Sequence, residues 1–254
     1  MSSALLDAQS ITKRFAGINA LDRVSLEIAS GELVALIGPN GAGKTTFFNC
    51  LLGVLRPDTG SITFAGRDLS RLPVHRRARL GLARTFQRIE LFGGMSVRDH
   101  LWVAARAHRR GGGLGRDLLG LSGPTAEERA QCMDTLELVG LSEIADSPVE
   151  SLSLGRGRIV ELARALMCQP KLLFLDEPSS GLDQGETHEM CEVLRTVQSD
   201  RGTAILLVEH DVPMVESLAS RTYVLESGTV IASGDTADVL SQPAVRAAYL
   251  GQGV

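Results

Sequence analysis

A glycine-rich stretch, Gly38 to Thr46, constrains this chain more than any other segment, because its sequence GPNGAGKTT fits the phosphate-loop pattern G-x-x-x-x-G-K-[ST]. The apolar run from Leu33 to Ile37 before it predicts a buried strand, and the apolar segment that begins at Phe47 predicts a helix. Glycines allow the backbone N–H groups to face one point, and the helix start adds partial positive charge there. Strand, loop and helix in this order predict a site for the phosphates of a nucleotide.

Two side chains of this loop have expected roles of their own. We expect the Lys44 ammonium to reach the β- and γ-phosphates and the Thr45 hydroxyl to ligate Mg²⁺. The chain is rich in arginine and has lysine only at Lys13, Lys44 and Lys171, and a planar guanidinium would not replace the compact ammonium equally well here. The predicted nucleotide contacts in the loop are Gly38, Asn40, Gly41, Ala42, Gly43, Lys44, Thr45 and Thr46.

Length and composition limit the classes of protein to which the chain can belong. Its 254 residues suffice for one large domain or for a core with an inserted subdomain. The net charge of −4 predicts no general affinity for nucleic acid. The first residues lack the pattern of a signal peptide, and no apolar run approaches the roughly 18 residues of a membrane span. Four scattered cysteines predict a reduced, cytosolic protein without zinc or disulfides; they are Cys50, Cys132, Cys168 and Cys191.

The N-terminal part of the chain alternates apolar and polar residues, as antiparallel strands do, from Leu5 to Thr12 and from Val24 to Ile28. Phe15 is predicted to lie in the connection between them, where its ring could either stack on a base or plug a sheet edge. A turn at Pro57 to Gly60 leads to a short predicted strand from Ser61 to Phe64.

A basic cluster between Pro73 and Leu80 could hold an anionic partner, but a run of charges on a short helix is usually a solvated face. We favour the solvated face for its members, which are His75, Arg76, Arg77 and Arg79. After this cluster, Ala83 to Phe86 predict the end of a strand, with Gln87 directly beyond it.

Residues 91 to 168 differ from the rest because they combine helical patterns with polar and glycine-rich links. Ser96 is a predicted N-cap, and Thr125 with Glu128 fits the capping box of a second helix. Residues 111 to 124 predict a mobile loop or insertion. The basic residues that flank this loop predict an exposed helix end rather than a contact with lipid headgroups; they are Arg106, His108, Arg109, Arg110 and Arg116.

Two further apolar strands lead into charged side chains. The run from Lys171 to Leu175 ends in Asp176-Glu177, and the run from Thr203 to Val208 ends in Glu209-His210. Predicted helices follow both strands, so strand and helix alternate as in a mainly parallel sheet, with the polar residues gathered at one edge. The remaining predicted elements are helices at about 185–199 and 211–219, a hairpin of 221–226 and 229–232, and a short helix near 243–250.

The side chains at these strand ends suit the hydrolysis of a nucleotide. Asp176 is placed to hold Mg²⁺, directly or through a water. Glu177 could orient and polarise a water for in-line attack on the γ-phosphate, and His210 could contact that phosphate. A single histidine at a strand end is usually just partly buried, but beside these carboxylates we favour a functional role for it.

The motifs, taken in order, resemble those of the ATP-binding subunits of ABC transporters over essentially the whole chain. They are the Walker A motif at Gly38 to Thr45, the Q-loop at Gln87, the signature motif at Leu152 to Arg156, the Walker B motif at Leu172 to Asp176 with Glu177, the D-loop at Ser180 to Asp183 and the switch histidine His210. The resemblance implies an α/β fold, namely an ABC-type P-loop NTPase with a mainly parallel core sheet, an N-terminal antiparallel β subdomain and an inserted α-helical subdomain. The implied boundaries are about 1–88 and 169–234 for the core and β subdomain, 89–168 for the helical subdomain and 235–254 for the tail helices.

The resemblance also implies roles that the residues alone do not reveal. Phe15 joins the predicted nucleotide contacts, and Gln87 joins both the catalytic residues and the metal ligands. In the family two cassettes close head to tail over two ATP molecules, which implies that an isolated monomer hydrolyses ATP poorly. Ser153, Gly155 and Asp183 of one subunit are then expected to complete the site of the other.

The signature motif departs from the usual LSGGQ of the family at two positions, because Leu154 replaces a glycine and Arg156 replaces the glutamine. Ser153 and Gly155, which supply the phosphate contacts in the family, are both present. Arg156 is expected to bring a further cation near the nucleotide.

Within the family, the chain most resembles the ATPases of branched-chain amino acid uptake systems, in ARTFQ at Ala83 to Gln87, in the LFGGMSVRDHLWVA that follows, and in the tail from Asp238 to Gly251. Those systems pair two related ATPases with two transmembrane permease subunits and a solute-binding protein. The resemblance implies an importer subunit on the cytoplasmic face of the inner membrane, with ATP and Mg²⁺ as cofactors, a paralogue or a second copy as dimer partner, and no nucleic acid.

Three other functions stay open. A lipid or lipopolysaccharide export ATPase is similar in size and tail, but the sequence around Gln87 counts against it. Soluble ABC ATPases that act on nucleic acid commonly carry two cassettes or a coiled-coil insertion, whereas this chain has one cassette. A nucleotide-binding protein without turnover is disfavoured by the joint presence of Lys44, Asp176, Glu177 and His210. The transported molecule also stays open, because uptake of urea, amides or aromatic acids would leave nearly the same residues.

Overall fold

The elements follow the alternation of strands and helices that the sequence predicts. The structure, a computed structural model, describes residues 4–85, 90–108 and 123–250, and the side chains of these except 108 and 248–250. The strands are β1 (Leu6–Phe15), β2 (Ile18–Ile28), β3 (Leu33–Ile37), β4 (Thr59–Phe64), β5 (Arg67–Asp68), β6 (Leu82–Arg84), β7 (Leu172–Asp176), β8 (Ala204–Val208), β9 (Arg221–Glu226) and β10 (Thr229–Asp235). The helices are α1 (Lys44–Leu52), α2 (Val74–Arg79), α3 (Val97–His108), α4 (Ala126–Leu138), α5 (Leu154–Leu166), α6 (Gln184–Arg201), α7 (Val212–Leu218), α8 (Thr236–Ser241) and α9 (Pro243–Leu250), with two 3₁₀ turns at Ser142–Ile144 and Val149–Ser151.

The larger sheet has six strands in the order β10-β9-β3-β8-β7-β6. Neighbouring strands from β9 to β6 are parallel, and β10 pairs antiparallel with β9. This arrangement confirms the mainly parallel sheet. It also brings the carboxyl ends of β3, β8 and β7 side by side, which is where ligands bind in open α/β sheets.

The parallel strands are buried on both faces, as strands covered by helices are. Along β3, alternate side chains enter two separate apolar clusters. One cluster includes residues of α3, α4, α5 and α6, and the other includes α1 and the smaller sheet; β3 contributes Leu33, Ala35 and Ile37 to the first and Val34 and Leu36 to the second. The phosphate loop thus extends from a strand that is held from both sides.

The smaller sheet is antiparallel, with the order β2-β1-β4-β5, as the sequence predicts. Its strands are longer than predicted, because β1 and β2 remain paired through several irregularities up to Phe15 and Ile18. Phe15 therefore ends β1 rather than lying in the connection. Its ring is 44% exposed, with the Lys13 ammonium 5.5 Å from the ring centroid, so it does not plug the sheet edge.

The basic cluster on α2 is only partly a solvated face. His75, Arg76 and Arg79 are exposed, but Arg77 is 2% exposed, so the prediction is wrong for this residue. Its guanidinium donates hydrogen bonds to the carbonyl oxygens of Cys50, Leu51, Leu69 and Leu72 at 2.6–2.9 Å. The cation satisfies carbonyls at the end of α1, which attract positive charge.

Local capping signals were reliable where the sequence showed them. The Ser96 hydroxyl accepts the backbone N–H of Asp99 at 3.1 Å before α3, and Thr125 and Glu128 form the predicted capping box of α4. All four cysteines are free, and Cys168 is the one that is not fully buried. None of the helices in the described part of the chain combines the length and apolar composition of a membrane span.

Candidate nucleotide-binding and hydrolysis site

Three loops with chemically useful side chains meet at one edge of the larger sheet. The phosphate loop follows β3, Glu177 follows β7, and Glu209 with His210 follow β8. The register pairs Leu36 with Val208 and Asp176 with Val208, so the three strands end at the same level. The structure therefore brings together residues that the sequence places up to 172 positions apart, from Gly38 to His210.

The phosphate loop needs glycine at its first position. Gly38 has φ +152°, and a Cβ there would lie 2.1 Å from the carbonyl oxygen of Leu225. Gly43, with φ +104°, is the N-cap of α1, which begins at Lys44 and thus three residues earlier than predicted. Among the described residues no side chain caps α1, so its first N–H groups are suited to an anion.

The Lys44 side chain lies within this loop. It is buried, and its ammonium donates hydrogen bonds to the carbonyl oxygens of Gly38 at 2.5 Å and Pro39 at 3.1 Å. Burial lowers the pKa of Lys44, and the nearby charges of Glu177 and Asp176 oppose that shift. The ammonium is therefore positioned between the loop backbone and the carboxylates at the strand ends.

Asp176 ends β7 and is placed for a metal ion. Burial, followed by the charge of Glu177, raises the pKa of Asp176, so a nearby cation would stabilise its charged form. Thr45, on the first turn of α1, is exposed. A carboxylate and a hydroxyl are oxygen ligands of the kind that Mg²⁺ takes together with phosphate oxygens. The described residues contain no group of three or more His, Cys, Asp or Glu that could hold a metal ion.

Glu177 occupies a strained position next to His210. Its φ is +50°, a left-handed conformation that is uncommon for residues other than glycine and that clusters at functional sites. Its backbone N–H donates to Val208 O at 2.8 Å. Glu177 Oε1 lies 4.0 Å from His210 Nδ1, and the His210 side chain is 60% exposed. Both side chains can therefore reach a substrate at this edge.

Sequence reasoning missed the role of Glu209, which it named only as part of a strand end. The Glu209 side chain is fully buried, and its carboxylate accepts backbone N–H groups from Ser179, His210 and Asp211. The available signal was a carboxylate directly after five apolar strand residues, in a position where a charge requires partners.

The signature segment forms a turn at the start of α5. Ser153 is the N-cap, and its hydroxyl accepts the N–H of Arg156 at 3.3 Å. Gly155 N donates to Glu186 Oε1 at 3.0 Å. Leu154 and Arg156, the two departures from LSGGQ, are both exposed. The contact with Glu186 joins the signature segment to the first turn of α6. Asp183, the last residue of the D-loop, is the N-cap of α6. Gln87 lies outside the described residues, as do Arg109, Arg110 and most of the loop predicted at 111–124 with its Arg116.

Known proteins with similar sequences include the ATP-binding subunits of transporters. The sequence model of the family described as "ABC transporter" matches residues 21–180, and the model described as "Branched-chain amino acid ATP-binding cassette transporter" matches residues 229–254. Over 99% of its length, the chain is 41% identical to the high-affinity branched-chain amino acid transport ATP-binding protein LivG of Salmonella typhimurium, all of which is covered. It is 36% identical to BraF of Pseudomonas aeruginosa over 99% of this chain and 100% of BraF.

Solved structures agree with the sequence matches. The ADP conformation of MJ1267, an ATP-binding cassette of an ABC transporter, superposes with a TM-score of 0.86 and 29% sequence identity. The match covers 98% of this chain and 99% of MJ1267. The α/β fold with its two sheets and its helices is therefore that of an ATP-binding cassette.

Proposed function

This chain belongs to the ABC transporter family of ATP-hydrolysing subunits, and on that premise we propose that it powers the uptake of branched-chain amino acids through a membrane permease. The observation that carries the substrate class is the match of residues 229–254 to the C-terminal segment of branched-chain amino acid cassettes. It is supported by relatives named for that transport over their full length. These matches favour import over lipid export, soluble ATPases and binding without turnover.

The proposed hydrolysis site uses the residues at the edge of the larger sheet. The N–H groups around Gly38 to Thr46 hold the phosphates, and the Lys44 ammonium exchanges its contacts with Gly38 O and Pro39 O for phosphate oxygens. Glu177 orients a water and accepts its proton as the water oxygen bonds to the γ-phosphorus. The bond from that phosphorus to the β,γ-bridging oxygen breaks, and ADP leaves with the bridging oxygen. His210 donates to the γ-phosphate, and the exposed ring of Phe15 stacks on the base.

We propose Mg²⁺ as the cofactor, with Asp176 and Thr45 as its protein ligands beside the phosphates and with Gln87 as a further ligand. When bound, the ion neutralises charge that develops on the phosphate oxygens. Asp176 suits this role because burial and the charge of Glu177 raise its pKa. A divalent cation beside it would stabilise the charged carboxylate against both.

We propose that two cassettes close head to tail and that Ser153, Gly155 and Asp183 of one subunit contact the triphosphate held by the other. A Ser-x-Gly turn at the start of the 13-residue helix α5 is a suitable anion site. The second cassette is a paralogue or another copy of this chain.

We also propose the division into a core with a β subdomain, a helical subdomain at about 89–168 and tail helices.

The permease is proposed to dock on an apolar groove between α2, α3 and α5. The groove has a volume of about 420 Å³ and is lined by Val54, Val74 and Ala104 among others. Val54 and Val74 are unusually exposed for large apolar side chains, at 52% and 45%, and exposed apolar patches mark interaction sites. Arg84, at the end of β6, also lines the groove, and Gln87 follows it three positions later in the sequence. With permease subunits as partners, and a solute-binding protein acting through them, the chain would be peripheral on the cytoplasmic face of the inner membrane.

The complex itself provides the test. Tagged Glu177→Gln protein is purified in mild detergent from its native host with ATP and Mg²⁺, and the co-purifying chains are identified by mass spectrometry. We expect two multi-span permease subunits and a second short ATPase. The wild-type complex, reconstituted in vesicles that contain ATP, should take up labelled leucine, isoleucine and valine when the solute-binding protein is added.

Variants separate the parts of this proposal. Glu177→Gln should lower ATP turnover by about 10²-fold or more while ATP binding persists, and Glu143→Gln, an exposed carboxylate on a 3₁₀ turn, should leave turnover unchanged. Val74→Glu should lose the permease but still bind ATP. Recovery of ribosomes, DNA-repair proteins or a lipid-export bridge, or steady hydrolysis by Glu177→Gln, would contradict the proposal.

A further inference from the structure

A buried carboxylate joins the two loops that carry Glu177 and His210. Glu209 is 0% exposed and follows the last residue of β8. Its Oε1 accepts the backbone N–H of Ser179 at 2.8 Å, across 30 positions of sequence. Its Oε2 accepts the N–H of His210 at 2.9 Å and of Asp211 at 3.3 Å. One oxygen thus faces the loop after β7, and the other holds the loop after β8.

Stability alone does not explain a charged side chain at this position. Removing a carboxylate from water is costly, and the three N–H groups offset the cost only because all of them point at it. Buried ion pairs can often be replaced as a whole by apolar residues without loss of stability, so a buried charge is weak evidence for a stabilising role. The role of Glu209 is therefore better inferred from how its carboxylate positions the two loops.

That geometry concerns the segment that carries Glu177. Its N–H donates to Val208 O at 2.8 Å, and two residues later the N–H of Ser179 donates to Glu209. The two ends of this short segment, Glu177 and Ser179, are therefore attached to the end of β8, and Glu177 has φ +50°. In this arrangement Glu177 Oε1 lies 4.0 Å from His210 Nδ1.

We propose that Glu209 is a positioning residue for ATP hydrolysis, which clamps the Glu177 segment to the His210 loop and so sets the separation of these two side chains at the γ-phosphate. The inference rests on the proposed function, because it assigns Glu177 and His210 to the reaction. Since Ser179 directly precedes the D-loop, the clamp also attaches the start of that loop to His210.

Glu209→Asp tests the clamp directly. Aspartate keeps the negative charge and can still accept the nearby N–H groups of His210 and Asp211, but it is one carbon–carbon bond, about 1.5 Å, too short to reach Ser179. Glu209→Gln keeps the length but presents an amide N–H₂ to one of the two loops. If the aspartate variant does not fold, the same measurements on the glutamine variant test the clamp.

The assay uses the complex purified from the host, with kcat and KM for ATP measured separately. We expect kcat to fall by about tenfold or more in Glu209→Asp, with KM within about twofold, because misplaced catalytic groups slow the chemical step without weakening binding. Hydrogen exchange of the Ser179 amide should become faster. The matched control is Glu128→Gln, another buried carboxylate that accepts a backbone N–H, from Thr125 at 2.7 Å in α4.

Each outcome has one meaning. A fall in kcat of less than about tenfold, a fall that Glu128→Gln reproduces, or a loss that resides in KM overturns the positioning role. Unchanged exchange of the Ser179 amide overturns the clamp itself. A wild-type complex that does not hydrolyse ATP would instead refute the proposed function, before Glu209 is considered.

Discussion

Glu186 Oε1 accepts the backbone N–H of Gly155 at 3.0 Å, so a carboxylate of α6 lies at the N-terminus of α5. Hydrogen bonds from Gly155 N–H and then from the Ser153 hydroxyl hold the pKa of Glu186 below its ordinary value. Only glycine fits at 155, because a Cβ there would lie 2.8 Å from Glu186 Cβ. An internal anion therefore interacts with the turn that we propose for the partner's triphosphate.

Glu186→Gln should strengthen the response to ATP. Glutamine keeps the capping box with Asp183 but removes the negative charge from the start of α5, where the helix dipole favours an anion. We expect the KM of the complex for ATP to fall about threefold. Glu128→Gln, the same change in the capping box of α4, serves as the control. An unchanged or higher KM in Glu186→Gln would show that Glu186 does not compete with phosphate.

Gly38→Ala and Gly41→Ala should differ sharply, although both glycines have positive φ. The new methyl group would lie 2.1 Å from Leu225 O at position 38, whereas nothing lies within 4 Å of it at position 41. We expect Gly38→Ala to abolish ATP binding and to lower the free energy of unfolding by about 3 kcal/mol, and Gly41→Ala to lower it by about 1–2 kcal/mol through backbone strain. Urea denaturation measures the free energy of unfolding of each variant, and a fluorescent nucleotide measures binding. Equal losses in Gly38→Ala and Gly41→Ala would refute the steric argument.

Arg77→Ala should be among the most destabilising single substitutions in α2, a helix in which Arg77 is the buried residue. It removes the guanidinium donor from four carbonyl oxygens, of which Cys50 O and Leu69 O still accept a backbone N–H. Hydrogen bonds to charged groups contribute about 1.5–3 kcal/mol each. We expect a loss of about 3–4 kcal/mol in urea denaturation. The exposed neighbour Arg76→Ala should stay within about 0.5 kcal/mol of wild type, and similar losses for both would mean that burial of Arg77 does not matter.

Asp176→Asn should stabilise the nucleotide-free subunit at neutral pH while it abolishes Mg²⁺-dependent hydrolysis. Burial and Glu177 raise the pKa of Asp176 above the ordinary value of 3.8, so the folded protein binds this proton more tightly than the unfolded chain does. The carboxyl therefore lowers stability as pH rises from about 3.8 through the folded pKa, and its cost is largest above that pKa. The difference between variant and wild type in thermal unfolding should be largest at pH 8 and smallest below pH 4. A difference of opposite sign, or one independent of pH, would contradict the cause given for the shift.

Much of the fold followed from periodicity and capping chemistry. The strands β3, β7 and β8 appear where continuous apolar runs predict them, and Thr125 and Glu128 cap α4 as their spacing predicts. Strand lengths in the smaller sheet were underestimated, since pairing between β1 and β2 continues through irregularities that break the alternation. Arg77 was misjudged because helical charge patterns do not reveal whether carbonyls from other segments surround a side chain.

The sequence by itself determined the phosphate loop, the order of the motifs, the parallel alternation of strands and helices, and the strand ends that carry Asp176 and His210. Each of these depends on residues that are neighbours in the chain. Only the tertiary structure decided that Arg77 is buried against α1, that Glu209 holds Ser179, and that Glu186 meets Gly155. These contacts join side chains to backbone N–H or C=O groups some 26–31 positions away. Every residue offers a backbone C=O, and every residue except proline offers an N–H. Residue types therefore cannot identify the partner until the sheet has brought the loops together.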